Sequence, residues 1–206
     1  FWHWWHQAAY DTGFPEYLPP REGAGPFRDA VDRAHRAGLR AIVYMNQRLW
    51  CLDTPSWTAE RAERAAVREA DGRVRTEVYN VFDPKPCATM DVTVPQWRAK
   101  YAGIADSVLD GYGIDGLYMD QAVLSLVCHA RDHGHPVGGG NHWMGGFRAL
   151  AADVRARRDG GRPTMLAGEG GGETWLPELD LFLTLQVSME RYAEPGSGWE
   201  PIPFFQ

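Results

Sequence analysis

The chain has 206 residues, 44% hydrophobic and 23% charged, with a formal net charge of −6. That size and balance suit one sizeable globular domain. The acidic balance and lack of a basic run argue against nucleic acid as the main partner, and no apolar stretch approaches the roughly 20 residues of a membrane-spanning helix.

The first predicted strand is FWHWWH (1–6), and a Pro/Gly-rich loop follows from Tyr10 to Gly25. PFRDAVDRAHRAG then reads as a helix. Pro26 sits in its first turn, Phe27, Val31 and Ala34 share a face, and Gly38 caps it. RAIVYMN (40–46) is the second strand. Residues 47–88 form an excursion too long for a simple connector, expected to be a lid or small subdomain with a helix near 58–70. ATMDVT (88–93) reads as a third strand. PQWRAKYAGIADSVLDGYG carries the strongest helical pattern, opened by Pro95, with Trp97, Tyr101, Ile104 and Val108 on one face and Gly113 at its end. GLYMD (116–120) is a fourth strand. A His- and Gly-rich loop leads to a helix around 144–158, then to strands PTMLAGEG (163–170) and LDLFLTLQ (179–186).

Strands alternating with helices predict an α/β fold with a parallel sheet. No G-x-G-x-x-G follows the first strand, which disfavours a doubly wound dinucleotide fold. Polar residues gather just after strand ends: His6, Asn46, Asp91, Asp120, Glu169 and Gln186. That is the pattern of a (β/α)8 TIM barrel, whose sites lie at the C-terminal face. About six βα units are expected here, so residues 1–206 read as a partial barrel domain, an excerpt with a long insertion after the second strand.

The run Gly113-Ile114-Asp115-Gly116-Leu117-Tyr118-Met119-Asp120-Gln121 ends an apolar strand on a carboxylate. An unpaired charge is costly in a core but useful at a strand tip facing a barrel mouth. Strand alternation puts Tyr118 and Asp120 on one side. Glu169 ends the next strand in the same way. Neighbouring strands lie about 4.8 Å apart, so two such carboxylates can reach the roughly 5–5.5 Å of a retaining glycosidase. The bland alternatives are a helix N-cap for Asp120 and a solvated loop carboxylate for Glu169. Glu173 is a rival to Glu169, and GEGGGE is flexible enough to leave the choice open. Asp91 could bind a sugar hydroxyl or cap the next helix; Asp115, at the far end of its strand, reads as structural.

Nine Trp and eight Tyr point weakly to carbohydrate, because aromatic faces stack on sugars as well as filling cores. Trp4 and His6 could floor a sugar subsite, and Asn46, Arg48, Tyr118 and Gln121 stand where substrate contacts would sit. Cys128, Asp132 and the histidines of the 128–142 loop invite a metal reading, but their spacing matches no closed zinc pattern, so no metal is assigned. His135 and His142 are instead candidates for hydrogen bonds to substrate hydroxyls. Cys51, Cys87 and Cys128 form no CxxC pair. An odd, scattered set predicts reduced or partly buried thiols rather than a disulfide framework, and the compartment stays open.

RAHRAGLRAIVYMN followed by MDVTVPQWRAKYAGIADSVLDGYGIDGLYMDQ resembles the central part of retaining α-galactosidase-type glycoside hydrolase barrels. Those carry a helix, a Gly-Leu-Lys turn and a strand, then an Asp-x-x-x-Pro stretch and a strand ending in the nucleophilic Asp. The Tyr-x-Asp form with a later Glu is more similar to the endo-α-N-acetylgalactosaminidase branch. HWWHQAAYDTGFPEYLPPREG and HGHPVGGGNHW also resemble an uncharacterised family of glycosidase-like bacterial barrel domains. The resemblance implies Asp120 as nucleophile and Glu169 as acid/base on an α-linked galactose- or N-acetylgalactosamine-like sugar. Gln186 stands where the α-galactosidases proper place their acid/base Asp, which favours Glu169. No cofactor is required. The alternatives are a non-catalytic carbohydrate-binding barrel and a metal-dependent hydrolase using the 128–142 loop.

Overall fold

Residues 1–7, 11–157 and 163–183 are described by the computed structural model. A parallel sheet carries the fold, in the order β1 (Ile42–Asn46), β5 (Gly116–Asp120), β6 (Met165–Glu169) and β7 (Leu181–Leu183). Val43, Met45, Leu117, Met119 and Leu166 are fully buried, as expected for strands covered on both faces. The register aligns Asn46 with Asp120 and Met119 with Gly168, so the polar strand tips arrive at one end of the sheet.

The helices behind the sheet follow their sequence signals. In α1 (Ala24–Arg36), Phe27 and Val31 are buried. In α3 (Pro95–Tyr112), Pro95 opens the first turn, where its missing N–H costs nothing. Trp97, Tyr101, Ala105 and Val108 face inward, and Gly113 ends the helix at φ +71°, a left-handed conformation that glycine adopts without a Cβ penalty. Helix α4 (His142–Ala156) buries Trp143, Phe147, Leu150 and Val154. Gly116 permits the closest strand approach: a Cβ there would lie 2.4 Å from the Met165 carbonyl oxygen.

Three expectations are corrected. FWHWWH forms no full ladder. Trp2 bridges to Val43, in the parallel sense, with its N–H donating to the Ile42 carbonyl at 2.8 Å, and His6 bridges to Pro20. ATMDVT does not join the parallel sheet. Its strand β4 (Cys87–Thr89) lies between β2 (Leu49–Cys51) and β3 (Thr76–Glu77) in a separate antiparallel sheet. The helix expected near 58–70 is a short α2 (Pro55–Ala59) and a 3-10 turn (Ala62–Ala65), separated where Arg61 takes φ +52°. The antiparallel sheet also overturns the free-thiol reading of two cysteines. Cys51 and Cys87 face each other across β2 and β4 and form a disulfide, while Cys128 is free and buried.

Candidate active site

Asp120 and Glu169 close adjacent parallel strands and line one cavity of about 400 Å³. Tyr44 donates its hydroxyl to Asp120 Oδ2 at 2.8 Å, and Asn46 Nδ2 donates to the same oxygen at 3.0 Å. Both come from β1, whose register with β5 dictates the meeting. Glu169 sits close enough to Asp120 for the two carboxyls to interact. Burial, then the Asp120 charge, raise its pKa to about 7. The arrangement therefore offers one carboxylate oriented by two donors and one carboxyl that holds its proton near neutrality.

Gln121 takes φ +60°, a left-handed conformation uncommon for a non-glycine residue. Its side chain explains the hold: Oε1 accepts from Arg48 Nε at 2.8 Å and from Asn46 Nδ2 at 3.2 Å, while Nε2 donates to the Tyr79 hydroxyl at 2.6 Å. Arg48 also donates to Glu77 at 2.8 Å.

Of the candidates named from sequence, Asn46, Tyr118, Asp120, Gln121 and Glu169 line the cavity. Trp4 does not; it is 57% exposed. His6 is buried behind the site against Phe14 and Tyr17, where burial first, then Arg21, lower its pKa to about 4. The subsite reading needed a regular strand with Trp4 and His6 on the face toward the mouth, and residues 1–6 form no such strand. Phe1 and His3 line the cavity instead, and His3 stacks on Tyr44 with ring centroids 4.1 Å apart. Arg48 is buried beneath the site rather than lining it. Glu173 is exposed on a 3-10 turn. Gln186 lies outside the described residues. Asp115 accepts from the Ala41 N–H and pairs with His35 and Arg40 at the opposite end of the sheet.

The sequence reading missed Tyr44, His3, Asp11 and Tyr79 in the cavity lining. Tyr44 had a signal: it sits two residues before Asn46, on the same strand face. Tyr79 had none, because it comes from the irregular insertion.

Comparison with known proteins gives the chain a place. A family described as "Domain of unknown function (DUF6259)" matches residues 1–206. The chain belongs to the DUF6259 family. A protein of Bacteroides thetaiotaomicron named "Putative glycoside hydrolase" is 29% identical over 94% of this DUF6259 chain and 28% of its own length. A Monosiga brevicollis protein named "Putative glycoside hydrolase 22789" is 27% identical over 89% of the chain and 16% of its own. The DUF6259 chain thus spans less than a third of either relative. Among solved structures, the α-N-acetylgalactosaminidase NagBb from Bifidobacterium bifidum matches with TM-score 0.68 and 18% identity, over 87% of this chain and 28% of that one. The α-galactosidase TtGalA from Thermus thermophilus matches with TM-score 0.59 and 17% identity, over 86% and 34%. At such identities the likeness is one of fold, and it identifies the DUF6259 sheet as part of a TIM barrel.

The remaining candidates of the DUF6259 chain gather elsewhere. Asp91, Cys128, His133 and His135 form a second cluster, and none of them lines the cavity. His142 stacks on His135 with centroids 4.4 Å apart. Asp91, His135 and His142, expected as sugar contacts, thus lie away from the cavity that holds Asp120 and Glu169. Asp91 follows β4, outside the parallel sheet, so its position after a predicted strand carried it to a different place.

Proposed function

We propose that this domain hydrolyses a glycosidic bond with retention, using Asp120 as nucleophile and Glu169 as acid/base. The observation that carries the reading is the pairing of these carboxylates on neighbouring strand tips in one cavity, with Glu169 raised to about 7. Inverting enzymes need carboxyls about 6.5–9.5 Å apart to leave room for water, whereas retaining pairs stand about 5–5.5 Å apart. Carboxyls on the tips of adjacent strands in one cavity, close enough for the Asp120 charge to raise Glu169, favour the closer class. Asp120 attacks the anomeric carbon as Glu169 gives its proton to the departing oxygen. Glu169, now ionised, takes a proton from water, which attacks the glycosyl ester and frees Asp120.

The names of the two curated relatives support the reaction class. The substrate we propose is an α-linked galactose- or N-acetylgalactosamine-like sugar, as in the titles of the two structural neighbours. Asn46, Tyr118, Gln121 and His3 are the proposed hydroxyl and ring contacts, since they line the cavity beside the carboxylates.

The test uses the protein at its full natural length on a panel of aryl α- and β-glycosides. Asp120→Asn and Glu169→Gln should each lower turnover by about 10²–10⁴-fold or more. Azide should rescue Asp120→Gly by supplying a small nucleophile, giving a glycosyl azide, and should not rescue Asp120→Asn. Activity that survives both substitutions sinks the assignment.

A further inference from the structure

Four chemically soft or charged donors converge on one point away from the cavity. Asp91 Oδ2 lies 2.9 Å from His133 Nδ1 and 2.8 Å from His135 Nε2. Cys128 Sγ lies 3.6 Å from His133 Nδ1. One ligand atom from each residue falls within 4.8 Å of every other. All four are buried at their side chains: His133 and His135 are each 3% exposed, Asp91 is fully enclosed, and Cys128 is buried.

We propose that Asp91, Cys128, His133 and His135 bind a zinc ion in a closed, structural site. The donor set decides the metal. A thiolate and two imidazoles suit zinc and not the hard, oxygen-seeking calcium or magnesium. Zinc–ligand lengths of about 2.3 Å to sulfur and 2.0–2.2 Å to nitrogen or oxygen give tetrahedral edges of about 3.5 Å (S–N) and 3.3 Å (N–O). The Cys128 Sγ–His133 Nδ1 separation already has that length, and the nitrogen–oxygen separations to Asp91 reach it with a shift of about half an ångström. The outward nitrogens are also fixed: His133 Nε2 faces the Arg64 carbonyl at 2.9 Å, and His135 Nδ1 faces the Pro136 carbonyl at 2.8 Å. Each carbonyl holds a proton on the outward nitrogen, which leaves the inward nitrogen a bare lone pair. This is the outer-shell pattern of metal-bound histidine.

Charge points the same way. Thiolate, carboxylate and two neutral imidazoles make a site of net charge zero around a divalent ion. Protons alone would require two imidazolium rings, their centroids 5.8 Å apart, aimed at one carboxylate oxygen in a buried place. With four protein ligands no coordination position is left open, so the site is structural and distinct from the proposed hydrolytic centre. Its task follows from connectivity. Asp91 lies just after β4 of the antiparallel sheet, while Cys128, His133 and His135 lie on the loop that starts at Gln121, directly after the tip of β5. The ion would fasten that loop to the end of the antiparallel sheet. The proposal rests on its own geometry and stands or falls separately from the glycosidase reading.

The experiment is metal analysis of the full-length protein purified without chelator, with cobalt exchange as a second readout. About one zinc per chain is expected, and the cobalt form should show strong tetrahedral absorption with a sulfur-to-cobalt charge-transfer band. Cys128→Ser should abolish that band, and His135→Ala should weaken zinc binding at least 10- to 100-fold. His142→Ala, which removes the ring stacked on His135 but no ligand, should keep the zinc. Wild-type protein that takes up neither zinc nor cobalt overturns the proposal. So does a cobalt spectrum of weak octahedral type, which reads the site in the wild type even where the variants fail to fold.

Discussion

Glu169 and Asp120 share a proton's worth of space, and their protonation states are therefore linked. Burial disfavours the Glu169 anion first, and the neighbouring Asp120 charge adds to it, which brings the pKa to about 7. A general acid must carry its proton, so kcat/KM should fall as pH rises through about 7. Replacing Asp120 by Asn removes the second cause and leaves the first. The Glu169 titration, followed by carboxyl NMR, should then move down toward the ordinary carboxylate range without reaching it. An unchanged titration would mean that burial alone sets the value. The same shift bears on stability. A carboxyl whose pKa rises on folding contributes stability that is complete below its unfolded value, near 4.3, and is lost as pH rises through about 7. Glu169→Gln should accordingly melt higher than wild type at pH 8, the gain shrinking as pH falls through about 7 and gone below about 4.

At the scale of elements, glycine positions separate packing from propensity. A Cβ on Gly116 would meet Met165 backbone and Cβ at 2.4–2.7 Å, between two central strands with no flexible side-chain end to yield. Gly103, within α3, has nothing within 4 Å of its hypothetical Cβ. Gly116→Ala should cost about 1–3 kcal/mol or more through overpacking, while Gly103→Ala should stabilise by about 0.5–1 kcal/mol. Denaturant melts check both, and equal effects would refute the close approach of β5 and β6. The same contrast governs what the sequence disclosed. Helices α1 and α3 were legible because Pro26, Pro95, Gly38 and Gly113 mark their ends and apolar spacing marks their faces. Strand β5 was legible because its apolar run stops at Asp120. Residues 1–6, rich in aromatics with no period of their own, gave no sign that they would form isolated bridges, Trp2 to Val43 and His6 to Pro20, instead of a ladder. The Cys51–Cys87 pair depends on an antiparallel register between segments 36 residues apart, and the Asp91 cluster on residues from two loops. Neither leaves a local pattern.

The molecule as a whole is a parallel sheet with an insertion bound to it, and the join passes through a charge. Arg48 is 2% exposed, and its Nη1 finds no partner among the described residues. It spans the boundary, donating to Gln121 on the β5 side and to Glu77 of β3 in the insertion, where Tyr79 donates to the same Glu77 oxygen. A buried guanidinium left without its carboxylate is costly, typically about 3–5 kcal/mol, whereas removing both charges together is often far cheaper. Glu77→Gln alone should therefore destabilise the protein by about 3 kcal/mol, somewhat moderated because Gln121 still accepts from Arg48. The pair Arg48→Met with Glu77→Gln should cost clearly less than the two single changes added. A double-mutant cycle on denaturant unfolding measures the difference directly. Additive costs would mean that the two side chains do not sense each other, and the insertion would then have to be held by the disulfide-bearing sheet and the Asp91 cluster without help from this ion pair. A coupling of 1 kcal/mol or more would place the Arg48–Glu77 contact among the bonds that hold Gln121 in its left-handed conformation beside Asp120.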